Sequence, residues 1–167
     1  MPSAHTPVLI RLRPARDSDI SFIVAAERHT SNCPYVGQWS AERHQEAMTA
    51  VDTALLMLER LEDSARVGYT ILEGLQNPNR AVLLRRLVVT DKGKGYGRAA
   101  LKQLKQLVFE TYQAHRFWLD VKAFNPRAKR LYESGGFVVE GCLREALKTE
   151  DGYQSMYIMS VLRSEFY

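Results

Sequence analysis

Apolar positions along this chain change period several times, and each change marks an element. Val8-Leu9-Ile10-Arg11-Leu12-Arg13 is a short apolar and polar alternation that ends at Pro14, which predicts a first strand. Asp17 stands where a helix would be capped, and Ile20, Ile23, Val24 and Glu27 follow at helical spacing until the pattern fades near His29. Residues 30–39 contain Asn32, Pro34 and Gly37 and predict a loop. Ser40 then caps a second helix with His44, Ala47, Met48 and Val51 along one side. Two strands are expected over 55–60 and 66–73, with the polar Glu62-Asp63-Ser64 turn between them. A second turn over 76–80 opens the apolar run 81–89.

The clearest periodic segment is 95–114. Ala100, Leu101, Leu104, Leu107, Val108 and Tyr112 fall on one helical face, and Lys102, Gln103, Lys105, Gln106 and Glu110 on the other. A strand over 116–122 follows. A strand–helix–strand unit of this length favours parallel pairing. Asn125 and Pro126 form a cap and first-turn pair that starts a short helix with Ala128, Leu131 and Tyr132 inward, and Gly135 or Gly136 ends it. A long strand over 137–147 turns at Asp151-Gly152. The return strand, 153–162, alternates Met156, Ile158, Ser160 and Leu162 against Tyr157, Met159 and Val161. The order β α α β β β α β α β β predicts a mixed α/β (α+β) domain, with a central, mostly antiparallel sheet flanked by helices.

Composition narrows the function. A chain of 167 residues is long enough for one well-buried domain, so a single domain over 1–167 is expected. No apolar run approaches the ~20 residues that cross a membrane, and the first residues lack the basic and apolar pattern of a secretory leader. The formal net charge of +4 is spread along the chain without a basic run, which argues against nucleic acid as the partner. Cys33 and Cys142 are far apart and have no metal spacing with a histidine, so no metal site is expected, and free thiols fit a reducing cytoplasm.

Candidate chemistry begins at Lys92-Gly93-Lys94-Gly95-Tyr96-Gly97-Arg98, between the run 81–89 and the amphipathic helix. Glycines at a strand-to-helix turn allow positive φ and leave no Cβ between the backbone and a ligand. The unpaired N–H groups of the helix start, with basic side chains around them, make such a turn a phosphate cradle. A dinucleotide fingerprint fails because Arg98 occupies its third glycine position. A Walker loop fails because Lys94 is followed by Gly95.

The spacing, a basic residue at Lys92, two spacers and then Gly95-x-Gly97, resembles the cofactor motif of the GNAT acetyltransferases. Lys92 stands where that family has Gln or Arg. A second likeness supports it. Asn125-Pro126-Arg127-Ala128-Lys129-Arg130-Leu131-Tyr132, then Gly136-Phe137, is similar to the family's Asn-x-x-Ala-x-x-Leu-Tyr and Gly-Phe motif. The two motifs cover residues 81–137, and the element order extends the likeness to most of the chain. The ending, with Gly141, Arg144 and Asp151-Gly152, looks like the branch that acetylates ribosomal-protein N-termini and polyamines.

The resemblance implies the acyl-CoA N-acyltransferase fold and acetyl-CoA as cosubstrate. The acceptor would be a primary amine: a protein N-terminus, a polyamine or another small amine. It implies a cofactor site of Leu87, Val88, Val89, Lys92, Gly93, Lys94, Gly95, Tyr96, Gly97, Arg98 and Asn125, with the pantetheine arm beside a splayed strand and a backbone N–H near Val88 or Val89 on the thioester carbonyl. It assigns Tyr132 as general acid. With a phenol near ~10 and a thiol near ~8.5, an easy proton transfer is expected. Asp120 stands where related enzymes carry a glutamate and is the candidate base, with Glu73, His29 and His44 as weaker alternatives. Loop 30–39 and the Asp151-Gly152 hairpin are expected to set acceptor specificity, with Tyr35, Trp39 and Tyr157 on that side. The family leaves room for a homodimer. The alternative class is a non-catalytic acyl-CoA-binding module.

Overall fold

The structure is a computed structural model that describes residues 7–166. The strands are β1 (Ile10–Pro14), β2 (Thr53–Arg60), β3 (Arg66–Glu73), β4 (Ala81–Val89), β5 (Arg116–Lys122), β6 (Val138–Thr149) and β7 (Gly152–Leu162). They form one seven-stranded sheet in the order β1-β2-β3-β4-β5-β7-β6. All neighbours are antiparallel except β4 and β5, the pair joined through a helix. The fold is the mixed, mostly antiparallel sheet that the element order predicts.

Helices cover both faces. On one, α1 (Ile20–Arg28) and α2 (Ala41–Thr49) bring Ile23 and Ala26 against Leu55, Met57, Tyr69, Ile71 and Val88. On the other, α3 (Tyr96–Gln106) and α4 (Pro126–Ser134) pack Leu101, Leu104 and Tyr132 against Val82, Leu84, Phe117, Leu119 and Met159. Alternation along β2 and β3 supplies both cores, because successive side chains point to opposite faces, while β5 gives Phe117, Leu119 and Val121 to the second.

Local details depart from the sequence pattern where tertiary contacts override it. β1 ends at Pro14 as expected, and the proline is tolerated there because β1 is an edge strand. Asp17 does not cap α1. A 3-10 turn, Asp17–Asp19, precedes the helix, and Asp19 accepts the Arg16 backbone N–H at 2.8 Å. Arg13 donates to the same carboxylate, the main reason its pKa falls to about 2. Ser40 caps α2 as expected, accepting from the Arg43 N–H. Val51 lies beyond the end of α2 and is 83% exposed, so it is no part of an apolar face. The amphipathic segment is not one continuous α-helix. After Gln106 a π-helical turn, Leu107–Thr111, rotates the face, and Val108 and Phe109 both become fully buried. The last hairpin turns on Glu150 and Asp151, with Gly152 opposite Thr149 at the start of β7.

A buried polar hub ties α1 and α2 to the sheet. Glu27 is 1% exposed. It accepts from the Tyr69 hydroxyl at 2.6 Å, Arg86 Nη1 at 2.5 Å and the Trp39 N–H at 3.1 Å. His44 Nε2 lies 2.8 Å away. Burial pushes the Glu27 carboxyl up, but these partners outweigh it and hold its pKa below the ordinary value.

The sheet opens beside that hub. β4 and β5 pair over only three positions, Ala81–Arg116, Val82–Phe117 and Leu83–Trp118. β3 follows β4 to its end at Val89, with a bulge where Ile71 faces Arg86 and Leu72 faces Leu84, so Arg85 is the extra residue. The buried Thr70 hydroxyl donates to the Arg86 carbonyl beside it. From Leu84 onward β4 has no strand partner on its β5 side.

Gly68 holds the end of β4 in place. A Cβ there would lie 2.2 Å from the Val88 carbonyl oxygen. Gly68→Ala therefore forces β3 and β4 apart. We expect it to lower stability by about 1–3 kcal/mol, read as a fall in the urea midpoint at unchanged slope.

Candidate active site

The parted strands open into a cleft of about 680 Å³. Its floor includes Leu87 and Val89 of β4. One wall is the glycine loop and the start of α3, and the other is the start of α4 with Tyr132 deeper in. The 30–37 loop covers it through Ser31, Asn32, Tyr35 and Val36. The volume lies within the roughly 300–1,000 Å³ of small-molecule sites.

The cradle has the backbone that an anion requires. Gly93 and Gly95 adopt φ of +80° and +82°, and Gly95 is the N-cap of α3. Apart from its chain neighbours, no atom of the described residues lies within 4 Å of where a Gly93 Cβ would be. Lys92, Arg98 and Arg127 line the cleft against a single acidic residue, Asp91. An unpartnered strand edge, a helix N-terminus and a cationic rim fit a long polar chain ending in phosphates.

The expected cofactor residues are placed unevenly. Leu87, Val89, Lys92, Gly93, Gly95, Tyr96, Gly97, Arg98 and Asn125 line the cleft, while Val88 and Lys94 do not. The Val88 side chain is buried in the opposite core beneath α1. Lys94 is held by Asp91 at 2.9 Å. The Tyr96 side chain is mostly buried with Ile10, Leu58, Val67 and Ala100. Lys92 already has a partner, donating to Asn32 Oδ1 at 2.6 Å, and Asn32 in turn donates to the Ala26 carbonyl. Burial, then the nearby Arg127 charge, lowers the Lys92 pKa. Asn125 caps α4 by accepting the Ala128 N–H at 3.2 Å.

Tyr132 lines the cleft and is 9% exposed, and its hydroxyl has no hydrogen-bond partner among the described residues. Burial, and then the negative charge of Asp120, pushes its pKa well above the ordinary phenol value. The expectation of an easy proton transfer therefore needs correcting. A phenol near ~10 gives its proton to a thiolate of ~8.5 uphill by about 1.5 pKa units, roughly 2 kcal/mol, before any effect of burial. A hydrogen bond donated as charge develops on sulfur fits this phenol better than complete early transfer.

Asp120 lies on β5 opposite Ile158, at the level where β4 has turned away. Its carboxyl has no hydrogen-bond partner among the described residues and is exposed. Desolvation by the surrounding protein raises its pKa, against the pull of Arg85 and Lys122. Its negative charge is the lesser of the two causes that raise the Tyr132 pKa, and it lies outside the cleft lining. The other base candidates are engaged elsewhere. Glu73 pairs with Arg85 at 2.8 Å, His29 bonds Ser31, and His44 is fully buried beside Glu27. Among the aromatics, Tyr35 reaches the cleft, Trp39 lies under Arg86, and Tyr157 sits below Lys129.

Sequence reasoning missed Arg127 and the roofing role of Asn32. Arg127 follows Pro126 in the first helical turn, and that position next to a recognised cap was the available signal. Nothing local marks Asn32.

With this geometry in view, a model of the acetyltransferase (GNAT) domain family matches residues 10–138. The chain belongs to that family. The cleft thus has acetyl-CoA, the family's acetyl donor, to accommodate. Spermidine N(1)-acetyltransferase of Vibrio cholerae is 35% identical over 75 residues, a stretch that spans 45% of this chain and 43% of that relative. The crystal structure of spermidine N-acetyltransferase from Vibrio cholerae in complex with CoA and spermine superposes with a TM-score of 0.87. It is 22% identical and covers 96% of this chain and 99% of the other. A chimera of the Vibrio cholerae enzyme with hSSAT gives 0.85 at 22% identity, covering 95% and 98%. At that identity the structural likeness establishes the fold.

Gly95→Asp tests the cradle. Open space lies around the position, with Leu9 Cδ1 at 3.5 Å from the added Cβ, so the variant folds at a cost of about 1–2 kcal/mol for the left-handed backbone. Acetyl-CoA should raise the Tm of the wild type, equivalent to about 2.7 kcal/mol at a hundredfold excess over Kd. The folded variant should show no such rise in a thermal-shift titration.

Proposed function

We propose that this protein transfers the acetyl group of acetyl-CoA to a primary amine by direct attack. The observation that carries the reading is the coincidence of three features in one cleft. They are a strand edge without a strand partner, a glycine cradle under a cationic rim, and a mostly buried phenol whose hydroxyl has no hydrogen-bond partner among the described residues. Acetyl-CoA supplies an activated thioester and leaves as the thiol.

The chain's own residues do the rest. The cradle from Lys92 to Arg98, with Arg127, holds the phosphates. The free edge of β4 near Val88 and Val89 presents backbone donors to the thioester oxygen, where they stabilise developing negative charge. Asp120 accepts a proton from the incoming ammonium, directly or through water, because an α-amine of ~7.7–8.0 or a lysine-like amine of ~10.4 is mostly protonated near neutrality. The Tyr132 hydroxyl donates to the sulfur as the bond to carbon breaks. The relatives named for spermidine favour a small amine as the acceptor over a protein N-terminus. The described helices include none long and apolar enough to cross a membrane, which fits a cytoplasmic enzyme. The exposed β6 edge, with Val138 and Leu143, supplies a surface for a homodimer. A non-catalytic acyl-CoA-binding module would have no use for Tyr132 and Asp120 on either side of the gap.

Tyr132→Phe keeps the ring and its contact with Phe137 and removes only the hydroxyl. Acetyl-CoA binding should barely change, while the single-turnover rate falls on the order of a hundredfold. Unchanged single-turnover chemistry would reduce Tyr132 to packing. If no amine turns over while acetyl-CoA binds tightly, the binding module is the better reading.

Asp120→Asn should change the pH dependence. The carboxylate is the active form, so wild-type activity is lost as pH falls through its raised pKa. In the variant the deficit should be greatest, about a hundredfold, between the pKa of the carboxyl and that of the amine. It should shrink below that window as the wild type loses its base, and above it as the amine loses its proton unaided. A pH–rate profile parallel to that of the wild type would remove Asp120 as the base.

A further inference from the structure

Beyond the gap, on the side of the sheet away from α3 and α4, the acceptor would meet a short row of charges. Asp120 and Lys122 project from the same face of β5, since residues two apart in a strand share a face. Arg85, the bulge residue of β4, and Arg86 stand across from them. The charges sort into two groups. Arg85 is paired with Glu73 at 2.8 Å, and Arg86 with Glu27 at 2.5 Å. Glu27 is further occupied by Tyr69, the Trp39 N–H and the adjacent His44. Glu27 is buried and has no capacity left for a ligand, while Glu73 keeps one oxygen beside its contact with Arg85.

Asp120 and Lys122 remain. Among the described residues neither has a carboxylate–ammonium contact within 4.0 Å. The Lys122 ammonium reaches only the Pro34 carbonyl at 3.4 Å and the face of Phe124 at 5.7 Å. It is partly desolvated, and burial lowers its pKa. An anion beside it would restore what burial has taken away. The wall therefore offers one negative and one positive group roughly 7 Å apart along the strand. A polyamine would find the Asp120 carboxylate and, next to it on the same strand face, a cation that repels its second nitrogen.

We propose that the acceptor is a small zwitterionic amine of the amino-acid type, its ammonium facing Asp120 and its carboxylate facing Lys122. The proposal rests on the acetyltransferase reading and narrows it. It departs from the polycationic substrate in the relatives' names because the group next to Asp120 on this face of β5 is a cation. Lys122 is then the specificity residue. Once Asp120 has taken the amine's proton and become neutral, the acceptor carboxylate is the remaining counter-charge to Lys122.

The test compares α-amino acids, their carboxamides and spermidine as acceptors, by CoA release and by thermal shift of the CoA-bound protein. The wild type should favour amino acids over their carboxamides by at least about tenfold in kcat/KM, and over spermidine as well. In Lys122→Met the ratio of acid to amide should fall toward one. Lys122→Glu, which presents a second carboxylate, should shift preference toward spermidine, and a folded Lys122→Glu serves if the methionine variant does not fold. Equal use of acids and carboxamides, or a wild-type preference for spermidine, overturns the proposal. If no amine is acetylated but amino acids still protect the CoA-bound protein in a Lys122-dependent way, the zwitterion site stands and the transferase reading fails. Loss of both signals overturns both.

Discussion

The site depends on β4 and β5 starting together and then separating. Parallel strands normally continue side by side, because every unpaired backbone group removed from water costs roughly 1–3 kcal/mol. Here the pairing stops after Leu83 and Trp118. The bulge at Arg85 bends β4 away, and Thr70 satisfies a carbonyl at the bend. Gly68 lets β3 follow the displaced strand closely enough to keep the other edge paired. The β5-side edge of β4 is left for a ligand. Cleft, cradle and the two candidate catalytic groups all take their positions from this separation, so a core constraint and a binding constraint fall on the same few residues.

Charge is distributed to match. Cationic groups at the cleft mouth face where phosphates would lie, with Asp91 the one acidic group among them. The Tyr132 phenol in the cleft and the Asp120 carboxyl, which is exposed and outside the cleft lining, are both held toward their protonated forms by desolvation. The same desolvation acts in opposite senses on function. It makes Asp120 a better base than a solvated carboxylate, because its affinity for a proton is higher. It makes Tyr132 a poorer acid, which is why the role proposed for it is a hydrogen bond to a charge that forms late.

Much of this was legible in the sequence where the signal is local. The run 81–89, strand 116–122, the Asn125-Pro126 cap and the Gly95-x-Gly97 turn each carry their signature within a few residues, and each was found at its place. The strand separation was not readable, because it is a matter of register between segments more than 25 residues apart. The π-helical turn after Gln106 was missed for a related reason. Leu107, Val108 and Phe109 fit a continuous α pattern nearly as well, and only packing against the sheet decides. Glu27 and His44 read as ordinary positions on amphipathic helices. Their burial together comes from the meeting of α1, α2 and β3. Asn32 became visible only when the loop was seen over the cradle.

The Glu27 hub has a further consequence for motion. Helix α1, helix α2 through His44, the loop end at Trp39, strand β3 through Tyr69 and strand β4 through Arg86 meet on one buried carboxylate. None of these segments leaves without exposing an unpaired charge in a dry interior. The helical layer on this face is thus bound to the opening of the sheet itself, as one cooperative unit. The roof over the cleft grows out of that unit at both ends and inherits fixed anchors. Between those anchors the Tyr35 and Val36 N–H groups bond the Asn32 carbonyl and Tyr35 packs on Phe124, so the roof is tied to the supports that hold the sheet open.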